Sequence, residues 1–105
     1  MLFITHENEL NSKNKIQPLY FYSSWMPYHK KMLIMIDKIE QKYKSINFLS
    51  IDVDGFKGLC KRFNIESIPT IIIMDNGKEI KRIEGLVMTS AFKSVFVDIC
   101  NSETL

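Results

Sequence analysis

The apolar positions along this chain change period several times, and each change marks an element. From Gln17 to Ser23 the residues Pro18, Leu19, Tyr20, Phe21 and Tyr22 are apolar on both faces of an extended chain, the pattern of a strand covered by helices on either side. After Pro27 the period becomes helical. Met32, Ile36, Ile39 and Tyr43 recur on one face, with Leu33 and Met35 widening the stripe, which predicts a long helix ending near Lys44. Pro27 suits its first turn, because proline has no N–H to leave unpaired there. Ile46 to Val53 alternates as a strand closed by Asp54-Gly55, and Phe56, Leu59, Cys60 and Phe63 mark a short helix. Ile71-Ile72-Ile73-Met74 is a β-branched strand. Asp75-Asn76-Gly77-Lys78 predicts a hairpin turn, since Asn-Gly tolerates positive φ, and Glu79 to Ile83 alternates as the return strand. Gly85 breaks that strand, and from Thr89 an amphipathic helix buries Phe92, Val95, Phe96 and Ile99. Near the start, Leu2-Phe3-Ile4 reads as a short strand and Thr5 as the N-cap of a short polar helix reaching about Asn11.

The resulting order, β-α-β-α-β-α-β-β-α, joins parallel units to a terminal antiparallel hairpin. It predicts an α/β fold with a central mixed sheet and helices on both faces. At 105 residues the chain is long enough for one domain, 1–105, with its own core but not for two. The chain carries no internal repeat, low-complexity segment or linker.

Composition narrows the function classes. Hydrophobic residues at 46% with 25% charged residues suit a soluble globular protein. No apolar run approaches the ~20 residues that span a bilayer, and the first residues lack the basic flank and long apolar stretch of a signal peptide, so the expectation is a cytoplasmic protein with no membrane partner. A net charge of +2, with lysines mixed among acids, argues against nucleic acid. Lys30, Lys31, Lys38, Lys42 and Lys44 follow one helix and read as its solvated face. Cys60 and Cys100 stand forty residues apart, outside any Cys-x-x-Cys or metal-ligand spacing.

The informative stretch is Ser24-Trp25-Met26-Pro27-Tyr28-His29, between the buried strand and the long helix, together with Ser67-Ile68-Pro69-Thr70 before the next β-rich run. In these two places, from roughly Lys15 to Cys100, the chain resembles the thioredoxin family, whose members carry Trp-Cys-Gly-Pro-Cys at the first and a cis-proline turn at the second. The resemblance implies the thioredoxin-like three-layer sandwich. It also puts Met26 at the attacking-cysteine position and His29 at the resolving one. A thioether cannot become a thiolate and an imidazole cannot close a disulfide, so disulfide exchange at this motif is chemically excluded. Tyr20 stands where the family has a buried aspartate and Ser50 where it has a lysine, and Ile34 replaces the proline that kinks the helix.

Trp25, Ile68-Pro69 and Gly85-Leu86-Val87 match the family loops that line its substrate groove, where an extended peptide pairs with the backbone beside the cis-proline. The implied function is a redox-inactive, non-catalytic adaptor that binds a protein or peptide through Trp25, Met26, Tyr28, His29, Ile68, Pro69, Gly85 and Leu86. The plainer alternative keeps Trp25 over the helix start and Pro69 in its turn for the fold alone. Two further alternatives are residual thiol-disulfide oxidoreductase activity through Cys60 or Cys100, and a structural subunit of an assembly. Met26 and His29 are too few ligands for copper without a third from Tyr28, His6 or a partner chain, so no metal and no cofactor is expected. Cys60 reads as a buried, inert thiol on the short helix. In the resembled fold its helix and that of Cys100 cover opposite faces, beyond disulfide reach. The expected oligomeric state is a monomer or weak dimer.

Overall fold

Five strands form one sheet in the order β1-β3-β2-β4-β5 in the computed structural model, which describes residues 1–4 and 16–103. β1 is Leu2–Phe3, β2 Ile16–Tyr22, β3 Leu49–Asp52, β4 Thr70–Asp75 and β5 Lys78–Glu84; the helices are α1 His29–Lys42, α2 Lys57–Arg62 and α3 Thr89–Glu103. β1 and β2 both run parallel to β3, whereas β4 is antiparallel to β2 and to β5. The fold is therefore α/β with a mixed sheet, as the element order predicts. The expected helix from Thr5 to about Asn11 lies outside the described residues.

Strand alternation sorts the core into two layers. Tyr20, Tyr22, Phe48, Ile71, Ile73 and Ile83 point to one face, where Met32, Met35, Ile36 and Ile39 of α1 and Phe92 and Phe96 of α3 cover them. Leu19, Phe21, Leu49, Ile51 and Ile72 point to the other, against Leu59 of α2. β2 is buried along its whole length because it is central in the sheet and covered on both sides. Val95 and Ile99 are only partly buried, at the margin of α3's contact stripe.

Several boundaries differ from the sequence pattern for local reasons. α1 starts at His29 rather than at Pro27, because a turn closed by the Met26 N–H on Ser23 O (3.1 Å) and the His29 N–H on Met26 O (3.3 Å) comes first. It ends at Lys42: Tyr43 is already extended, and its N–H caps Ile39 O at 2.9 Å. Residues 46–48 precede β3 because the Phe48 N–H is held by Glu40 Oε2 at 2.8 Å, which draws that segment to α1. At the β4–β5 turn Asn76 and Gly77 have φ of 53° and 87°, the pair of positive values that a tight hairpin requires.

Register brings four chain segments together. Tyr22 pairs with Asp52, Phe21 with Thr70, and Thr70 with Glu84, so the segments after β2, after β3, before β4 and after β5 leave the sheet at one end. In open α/β sheets, the crevice beyond the carboxyl ends of the parallel strands is where ligands bind.

Candidate functional site

The chain leaving β2 turns through Ser23 to Tyr28 at this end of the sheet. Met26 points inward, 6% exposed, and joins the core cluster that contains Tyr22, Ile71 and Ile83. Met26, expected among the groove residues, is therefore a core side chain at this end of the sheet. Trp25 and Tyr28 point outward, 70% and 49% exposed.

His29, the first residue of α1, lies between the sheet and solvent. Its ring stacks on Tyr22 with centroids 4.7 Å apart and on Tyr20 at 5.9 Å. Its Nδ1 shares a hydrogen bond of 2.9 Å with the Tyr20 hydroxyl. Tyr20 and Tyr22 stack on each other at 5.3 Å, and Phe3 meets Tyr22 edge-on at 6.1 Å. Burial, and after it the neighbouring Tyr22, pushes the Tyr20 phenol well above its ordinary range, so its proton stays in place. Tyr22 is raised in the same direction by burial and then by Asp52. The arrangement is a stacked aromatic unit tied together by the Tyr20–His29 hydrogen bond. Ser50 faces Tyr20 in the strand register and is equally buried, and its Oγ has no hydrogen-bond partner among the described residues.

Trp25 is tied to the segment after β3. Its indole Nε1–H donates to Asp54 Oδ2 at 3.1 Å, and the Ser23 hydroxyl donates to the same oxygen at 3.2 Å. Asp54 is held in turn by its own N–H on Asp52 Oδ1 at 2.9 Å. The role of Asp54 was not read from the sequence, where it marked only the end of a strand. The signal lies in the parallel register: two residues past Asp52, it faces the residues that follow Tyr22.

On the far side of β2 the Ile68–Pro69 peptide is cis. Pro69 is buried and Ile68 half-buried, packed against the cluster that holds Met26. The Gly85 N–H donates to Pro69 O at 2.8 Å, and Gly85 takes a φ of 78°, so a backbone bond ties the loop after β5 to the proline turn. Beyond it Leu86 is exposed and Met88 is 76% exposed. The expected groove residues thus share one end of the sheet, with Trp25, Tyr28 and Leu86 on its surface and Met26 and Pro69 beneath.

The two thiols are elsewhere, and neither is in a disulfide. Cys60 lies on α2 and packs on the face opposite to that of Cys100, as expected for helices on the two sides of the sheet. Contrary to expectation Cys60 is only half-buried, and with Val53, Ile65, Glu66, Ser67 and Ile68 it lines a cavity of about 270 Å³. Burial, then the carboxylates of Asp54 and Asp52, pushes the Cys60 thiol up, away from the reactive thiolate. Among the described residues no group of three or more His, Cys, Asp or Glu could hold a metal ion, and no helix is long and apolar enough to cross a membrane.

Residues 4–98 match the Thioredoxin family profile. The chain belongs to the thioredoxin family. Among its relatives, thioredoxin H2 of Arabidopsis thaliana is 32% identical over 80 residues, which is 76% of this chain and 60% of that protein. Thioredoxin-1 of Caenorhabditis elegans is 33% identical over 70% of this chain and 64% of its own length. The match to thioredoxin 2 of Plasmodium falciparum covers 54% of that protein, so the chain spans between half and two thirds of these relatives. The fold superposes on oxidised thioredoxin from Plasmodium falciparum with a TM-score of 0.85 at 22% identity, covering 94% of this chain and 97% of that one. Oxidised mitochondrial thioredoxin 3 from Saccharomyces cerevisiae gives 0.83 at 24% identity, with 93% and 94% covered. Both likenesses are of fold.

Proposed function

We propose that this thioredoxin-family protein is a redox-inactive adaptor that holds an extended segment of a partner protein across the end of its sheet, between Trp25 and Tyr28 on one side and Ile68, Pro69 and Leu86 on the other. One observation carries this reading. The two side chains at the dithiol positions are withdrawn into the fold, Met26 in the core and His29 in the Tyr20–Tyr22 stack, while large apolar side chains around them are left open to solvent. Tryptophan and tyrosine are favoured anchors of protein interfaces, because they bring large contact area at small entropic cost. An extended peptide would lie beside Ile68, with Trp25 kept in place by Asp54.

Calorimetric titration with extended apolar peptides tests the reading. Binding should weaken at least about tenfold, ~1.4 kcal/mol, in Trp25→Ala and in Ile68→Asp. Equal affinity in both variants would remove this surface from consideration.

The relatives are named as thioredoxins, which supports a second reading: thiol-disulfide exchange through Cys60 or Cys100. The raised Cys60 thiol argues against it. An insulin reduction assay on the wild type and on the Cys60→Ser, Cys100→Ser double variant decides between the two. Turnover that depends on either thiol would overturn the adaptor reading.

A further inference from the structure

Nine residues along α1 from His29, about 14 Å at the helical rise, a second surface is built from different chemistry. Lys38, Ile39, Lys42 and Tyr43 meet Lys93 and Val97 of α3 around a cavity of about 230 Å³. Its inner wall is apolar: Ile39 is buried, and Tyr43 and Val97 are half-buried. Its rim is cationic. Lys38 and Lys42 are four apart and share a helix face, Lys93 approaches from the neighbouring helix, and the Lys42 ammonium lies 5.4 Å from the centroid of the Tyr43 ring.

Two carboxylates of α1 close to this rim have partners other than its lysines. Asp37 accepts the Gln41 side-chain amide at 2.8 Å. Glu40 accepts the terminal ammonium of Met1 with one oxygen and the Phe48 N–H with the other, both at 2.8 Å. Lys38, Lys42 and Lys93 form no ion pair among the described residues. Three like charges around one hollow repel each other, and an anion placed among them turns that repulsion into attraction.

We propose that this cavity binds a small phosphate monoester that carries a planar ring, a ligand of mononucleotide size. The doubly charged phosphate lies among the three ammonium groups, which act as point charges. The ring lies against Ile39, Tyr43 and Val97, where it replaces water on an apolar wall. The cavity is below the ~300 Å³ of an ordinary ligand pocket, which favours one ring system and one phosphate over a longer molecule. The lysines on α1 are thus more than a solvated helix face, because the fold adds a third lysine and an apolar floor.

The test is a heteronuclear NMR titration of the whole chain with adenosine 5′-monophosphate, with inorganic phosphate and adenosine as the two part-ligands. The monophosphate should shift residues 38–43 and 93–97 saturably, and each part-ligand should bind at least about tenfold more weakly. Lys42→Gln and Lys93→Gln change exposed side chains and should fold normally, with each variant weakening binding about two- to fivefold, more so at low salt. Lys81→Gln on β5 should leave it unchanged. The proposal is overturned by the absence of saturable shifts or by shifts spread evenly over all lysine-bearing surfaces. It is equally overturned by an unchanged affinity in the Lys42→Gln, Lys93→Gln double variant, or by inorganic phosphate binding as tightly as the monophosphate.

Discussion

The two loops that flank the end of β2 hold their side chains in opposite ways. In the loop leading into α1, Met26 is in the core and His29 is stacked on two tyrosines and hydrogen-bonded to one of them, so side-chain packing adds to the backbone turn in fixing the geometry. In the loop before β4 a backbone bond does that work, from the Gly85 N–H to Pro69 O, and Leu86 and Met88 beyond it are left uncovered. Packing of Met26 and His29 on the first side leaves those two side chains little freedom to act as ligands, while Trp25 and Tyr28 beside them stay exposed. Surface on the second side costs the fold little and is open to a partner.

Breaking the packed side should have the largest effect. Tyr20→Ala removes a fully buried ring that both Tyr22 and His29 stack on, and should lower unfolding free energy in urea by about 3–5 kcal/mol. Tyr20→Phe keeps the ring and deletes only the hydroxyl bonded to His29, for a loss of about 1 kcal/mol. Equal losses in the two variants would mean that the hydrogen bond, not the ring, holds this side together.

Ser50→Ala sharpens the same comparison with the sign reversed. Its buried Oγ has no partner among the described residues, so removing it should leave stability unchanged or raise it by up to about 1 kcal/mol in the same urea experiment. A clear loss would point to a partner for that hydroxyl. Trp25→Ala on the open surface should change stability by no more than about 0.5 kcal/mol while weakening peptide binding, the converse of the Tyr20 variants.

The smallest effect belongs to β5, away from both loops. Hydrogen bonding from Arg82 holds the Glu79 carboxyl below its usual range. The folded state therefore binds this proton less readily than the unfolded chain. The stabilising contribution is complete above the ordinary carboxylate range and disappears as pH falls through the folded value. The pair lies at the surface and is partly open to solvent, so Glu79→Gln should cost at most about 0.5 kcal/mol at neutral pH, with a weaker dependence of melting temperature on acid pH.

Much of the fold was legible because hydrophobic period is a local property. The runs at Leu19 to Tyr22 and Ile71 to Ile73, the stripe of Met32, Ile36 and Ile39, and the Asn76-Gly77 turn all formed where the pattern placed them. Boundaries shifted where a tertiary bond intervened, as at Phe48, whose N–H goes to Glu40 on another element. In the candidate site the sequence supplied the residue types and their approach to one end of the sheet, but it did not supply directions. Met26 and Trp25 are neighbours in the chain, yet one is core and the other surface. Asp54 became a site residue only through the register of β2 on β3.

Covalent structure puts a thioether at residue 26 and an imidazole at residue 29, and no folding alters which chemistry those two side chains can do. Tertiary structure alone decided that His29 spends its Nδ1 on Tyr20, that Trp25 is bound to Asp54, and that lysines from two helices surround one hollow. These pairings join residues from different elements, and the distances between them exist only once the sheet and its helices have packed.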